Sequence, residues 1–97
     1  MNLPKRIEDL LTVINKLSKI LIAETEHLKK NKRPGEIKLY QQDKTSLSNY
    51  YEKEVNSLSK LPGKLFEEAK SEFELLKKTL EKFKKILDEH NRAIFAA

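Results

Sequence analysis

Cysteine is missing from this sequence, tryptophan is missing too, and there are only two glycines and three prolines among 97 residues. Without cysteine there is no disulfide framework, no thiolate nucleophile and no zinc knuckle. Two glycines cannot build the Gly-rich loop that cradles a phosphate. So few chain breakers also argue against a β sandwich, which needs a turn every ten residues or so. Long hydrophobic runs are absent as well. The longest clean apolar run near the N-terminus is Ile20–Ala23, far short of the ~20 residues that cross a bilayer. Glu8, Asp9, Lys16 and Lys19 interrupt anything resembling the apolar core of a signal peptide. The expectation is a soluble, cytoplasmic chain with no membrane span. Charge of one sign is also lacking: 20 basic residues stand against 15 acidic ones, a net +5 spread along the chain. The one local cluster, Lys29, Lys30, Lys32 and Arg33, reads as a solvated loop.

What is present is helix. Hydrophobic residues make up 38% and charged ones 36%, the balance of a bundle rich in Lys, Glu and Leu. After Pro62-Gly63, apolar residues fall at Phe66, Ala69, Phe73, Leu76, Leu80, Phe83, Leu87 and Ile94, with only His90 breaking the alternating three–four spacing. That spacing is the seam of a helix packed on other helices. Pro4 suits a first helical turn, and the first segment carries Leu3, Ile7, Leu10, Ile14, Leu17, Leu21, Glu24 and Leu28. Leu11, Val13, Ile20 and Ile22 widen this seam, so the first helix should be the most buried. The second segment is poorer, with Ile37, Tyr40, Lys44, Leu47, Tyr51, Leu58 and Leu61 on its seam and serines on its other faces. Short connections make neighbours antiparallel. The sequence therefore predicts one all-α domain over 1–97, a three-helix antiparallel bundle with coiled-coil-like packing. Its helices span 4–31, 34–60 and a long third at 64–95.

Folding the first two helices back on each other pairs residues whose numbers have a constant sum. Leu21 then meets Leu47, Leu17 meets Tyr51, and Leu10 meets Leu58. At that register the seam-breaking Glu24 and Lys44 fall at one level, so they are read as a register-setting ion pair. The same arithmetic sets Tyr51 against Phe73 and Lys44 against Leu80. It leaves His90 to Ala97 projecting about 12 Å past the hairpin at ~1.5 Å per residue.

Catalytic constellations are absent from the pattern. His27 and His90 lie on different helices, with no metal-ligating partner at i+3 or i+4, and read as surface or seam-end residues. Acidic residues such as Glu67 and Glu68 sit at helix-surface spacing, and Glu74–Lys78 and Glu81–Lys85 suit i,i+4 ion pairs. A slim bundle is expected to offer no desolvated cleft for acid–base work. Tyr40 and Tyr51 are taken by the seam, which leaves no aromatic platform for nucleic acid. The reading is a protein that is not an enzyme, with no cofactor, no metal and no nucleic-acid partner.

Leu21-Ile-Ala-Glu24-Thr-Glu26-His-Leu28, then Gln42-Asp-Lys44-Thr-Ser-Leu47 and Tyr51-Glu52, together resemble the FlgN-like flagellar export chaperones. Asn91-Arg92-Ala93-Ile94-Phe95 looks like the Asn-plus-apolar stretch of that family's third helix. The resemblance implies a small cytosolic chaperone that holds the terminal segment of hook-associated subunits and escorts them to the type III export gate. Carried over to this chain, the partner-binding residues are Leu87, His90, Asn91, Ile94 and Phe95. The chain stops sooner after Asn91 than the family usually does, which leaves the client's identity open. The alternative from periodicity alone is a structural coiled-coil module that forms a homodimer or higher oligomer through its C-terminal helix.

Overall fold

The computed structural model describes residues 2–30 and 41–96, apart from the side chain of residue 96. It is a bundle of α1 (Leu3–Lys29), α2 (Gln41–Ser59) and α3 (Lys70–Ala96), with a 3-10 helix at Gly63–Ala69 leading into α3. Together the 3-10 helix and α3 make the longest continuous helical run. The portion of the expected second helix over 34–40, with the Ile37 and Tyr40 pairings, lies outside the described residues.

α1 starts where its chemistry says it should. The Asn2 side chain accepts a hydrogen bond from the Lys5 amide at 3.1 Å, and Pro4 occupies the first turn without wasting a donor. No glycine or proline follows before Lys30. Its buried residues are Leu3, Ile7, Leu10, Leu11, Ile14, Leu17, Leu21, Glu24, Thr25 and Leu28, and this wide stripe makes α1 the central helix. α2 buries only Leu58. Its end tightens through the amides of Lys60 and Leu61, which bond the carbonyls of Ser57 and Leu58, before Pro62 adopts φ −58 and ψ 139 and cannot continue the helix.

The expected α-helix from residue 64 is corrected at its start. Residues 63–69 wind as 3-10 helix, which rises ~2.0 Å per residue instead of ~1.5 and eclipses side chains three apart. This tighter, longer segment packs on α1, and Ala69 is fully buried there. α3 proper then begins level with the start of α1, and the two run parallel for 27 residues each. The register of α3 is therefore displaced from the one the hairpin arithmetic predicts. Tyr51 meets Phe83, edge on at 5.2 Å between ring centroids, and not Phe73. Phe73 stacks instead on Phe66 at 4.5 Å. The 12 Å overhang disappears: α3 ends level with α1, and Leu87 and His90 belong to the interior. On α3's exposed face, Glu74–Lys78 and Glu81–Lys85 do not close into ion pairs within 4 Å among the described residues.

Candidate functional site: a three-helix polar cluster, an open groove and the end of α3

Each seam has a polar interruption, and three of them meet. Glu24 of α1 is 1% exposed, and its Oε1 accepts from Lys44 Nζ of α2 at 2.9 Å. The same oxygen lies 2.9 Å from His90 Nε2 of α3. The paired Glu24 and Lys44 follow the antiparallel register of α1 on α2. His90 as third member follows only from the displaced register of α3, so His90 is neither a surface residue nor available to a partner. The sequence carried a signal for it, since His90 is the sole interruption of its own seam. Glu24 Oε2 is buried and has no hydrogen-bond partner in the structure. A buried carboxylate is costly in a low-dielectric interior unless charge-assisted hydrogen bonds meet it. Here one comes from each neighbouring helix, so sliding any helix by a turn strands the carboxylate.

A second clamp sits at the opposite end. Arg6 of α1 reaches Glu54 of α2 with two nitrogens, Nη2 at 2.6 Å and Nε at 3.3 Å, and Nη2 also donates to Ser57 Oγ at 3.1 Å. This fork geometry holds a carboxylate in one orientation. The hydrogen bond to Glu54 pushes the Arg6 guanidinium pKa further up.

Below the Tyr51–Phe83 contact, level with the Arg6 clamp, α2 stands away from α3. Among the described residues no Cα of α2 comes within 8 Å of a Cα of α3. The gap is a groove of about 430 Å³. Val55 and Leu58 wall it on one side; Phe73, Leu76 and Leu80 wall it on the other. Phe66 closes one end and Leu10 lies on the floor. A slim bundle with no cleft is thus not what the chain forms. The cleft is apolar, however, and no carboxylate or histidine lines it. A second hollow, about 440 Å³ between α1 and α2, is bordered by Lys16, Lys19, Asp43 and Ser46 and has little apolar wall beyond Ile20 and Leu47.

At the end of α3, the five residues assigned to a partner separate. Leu87 is half-buried against the core and His90 is buried. Asn91, Ile94 and Phe95 are exposed, Ile94 at 49% and Phe95 at 90%. His27 is half-buried on the last turns of α1, about one turn beyond Glu24, which bonds His90. Among the described residues no group of three or more His, Cys, Asp or Glu side chains is placed to hold a metal ion. No helix among them is long and apolar enough to cross a membrane.

Comparison with family models, with curated proteins and with solved structures finds no match to this chain.

Proposed function

We propose that this chain is a protein-binding helical module without catalytic activity, a cytoplasmic chaperone of the FlgN-like export type. In this reading it holds a terminal segment of a hook-associated flagellar subunit. The observation that supports it is the exposure of Ile94 and Phe95 on the last turn of α3, the stretch where the resemblance puts client contact. A large aromatic side chain left in water forfeits ~2 kcal/mol or more of burial, which a client helix would recover. The contact set narrows to Asn91, Ile94 and Phe95, because Leu87 and His90 face inward.

The test is co-purification of the full chain with terminal peptides of hook-associated proteins, repeated after Ile94→Asp and Phe95→Asp. Both positions are exposed, so the variants should keep wild-type helicity and lose the peptide. A client that binds with affinity unchanged by both substitutions would remove the end of α3 from consideration. Light scattering on the same samples tests the alternative: a dimer that Phe95→Asp dissociates assigns this surface to self-association.

A further inference from the structure

The groove between α2 and α3 lies far from Ile94 and Phe95, and its chemistry is specific enough to name an occupant. Its walls are Val55, Leu58, Phe73, Leu76 and Leu80, and it follows the helix axes with its top open. Such a trough fits the apolar stripe of another helix. The charge bordering it is uneven. Phe73 and Leu80 line the α3 wall, and the next residues round the helix are Lys77 and Lys84, with Lys70 one heptad earlier. Lys77 Nζ stands 4.8 Å from the centre of the Phe73 ring, so the ammonium sits directly at the groove's edge. Lys70 and Lys84 enter no ion pair among the described residues. Of the five acids of α3, Glu74 and Glu81 lie farther round the helix and Glu72 and Glu89 on other faces, while Asp88 follows Lys84 on the same rim, two turns past Leu80, where the groove lining ends. On the α2 rim the residues beside Val55 are Ser59 and one acid, Glu52.

From this juxtaposition we propose that the α2–α3 groove is a docking site for an amphipathic helix of another protein, one whose apolar stripe is flanked by acidic residues. The lysines recur every seven residues over ~21 Å of α3, at 1.5 Å per residue. That is the repeat at which a packed helix presents equivalent flank positions, as e and g charges do in coiled coils. A ligand with a single anionic headgroup would use one cation at one end and leave the row unexplained. A second copy of this chain docked groove to groove would set lysine row near lysine row, a like-charge juxtaposition that disfavours it.

Two labelled synthetic peptides of about 18 residues, enough to span ~27 Å as helix, test the assignment by fluorescence anisotropy with the full chain. Both carry the same leucine stripe; one has glutamates on its flanks and the other lysines. The glutamate peptide should bind the tighter by about tenfold, from three exposed charge pairs, and the preference should shrink as salt is added. In a Lys70→Glu, Lys77→Glu, Lys84→Glu variant, whose changes are all on exposed positions, the preference should reverse. Ile94→Asp and Phe95→Asp should leave it intact, which separates this site from the end of α3. Equal affinity for both peptides, binding of neither, or loss of binding in the Ile94 and Phe95 variants overturns the proposal. So does a concentration-dependent dimer that the triple lysine variant strengthens, since the occupant would then be a second copy.

Discussion

The two sides of α3 are packed in opposite ways. Towards α1 it presents Leu76, Phe83 and His90, all buried against a helix that is apolar over a wide stripe, with Leu76 also edging the groove and Phe83 also touching Tyr51. Towards α2 it presents Phe73 and Leu80, which with Phe66 of the 3-10 segment remain partly open over the groove. The apolar content of α3 is similar on both sides, so the difference comes from the partner. α2 turns Ser48, Glu52 and Ser59 to that flank, and burying hydroxyls and a carboxylate returns nothing unless each finds a hydrogen bond. α2 is therefore held to α1 at Leu58, the Arg6–Glu54 clamp and the Lys44–Glu24 bond; it meets α3 through Tyr51 and Phe83 and stands off from it along the groove. A bundle can be well determined while one of its three interfaces stays incomplete.

The largest expected effect lies on the closed side. Phe83→Ala empties a site that is 2% exposed and removes the edge contact with Tyr51, so it should cost ~3–5 kcal/mol in urea unfolding. Leu80→Ala, on the groove wall, removes a side chain that is only partly buried and should cost about 1 kcal/mol or less. Equal losses at the two positions would mean that the groove closes in solution and that the asymmetry is not real.

The polar cluster tests what keeps α2 in place at all. Lys44→Met removes one of two donors to a buried carboxylate and should destabilise by ~3 kcal/mol. Combined with Glu24→Gln it should recover part of that loss, and a double-mutant cycle measures the coupling. Additive losses would show that the two side chains do not work as a pair. Breaking the Arg6–Glu54 clamp with Arg6→Met should cost less, ~1 kcal/mol, because both side chains keep contact with water.

The smallest effect is a pH dependence. Burial against the bundle raises the Tyr51 phenol above its ordinary pKa. A folded-state pKa above the unfolded one means that the unfolded chain loses its proton first. Stability attributable to this group is then intact below about pH 10 and falls as pH rises from the unfolded pKa through the folded one. Tyr51→Phe should flatten that alkaline decline in thermal unfolding followed by circular dichroism, with little change at neutral pH.

Much of this arrangement is legible in the residues themselves, and the failures share one cause. The 3.6-residue spacing of Leu3, Ile7, Leu10, Ile14, Leu17 and Leu21 identifies α1 and its central place, and Pro62-Gly63 marks the break before the third segment. Lys44 falls at the level of Glu24, as the antiparallel matching of the two seams predicts. The arithmetic fails once it passes residue 63. It treats 63–69 as α-helix already climbing beside α2, whereas these residues wind as a 3-10 segment packed on α1 and α3 starts only at Lys70, level with the start of α1. Helical periodicity carries no information about which of the two a short stretch adopts. Starting the climb too early in the chain misplaces His90, pairs Tyr51 with Phe73 instead of Phe83 and creates an overhang that is not there.

Local preference and spacing, then, determine that this chain is three helices, which one is central, and which residues break each seam. Those are properties of single segments, and a side-chain pattern specifies them before any segment meets another. Whether the three seam breakers meet, how high α3 sits and whether α2 closes onto it are decided by packing between segments. There the point at which α3 starts its climb and the poor apolar face of α2 outweigh anything written in the periodicity of α3.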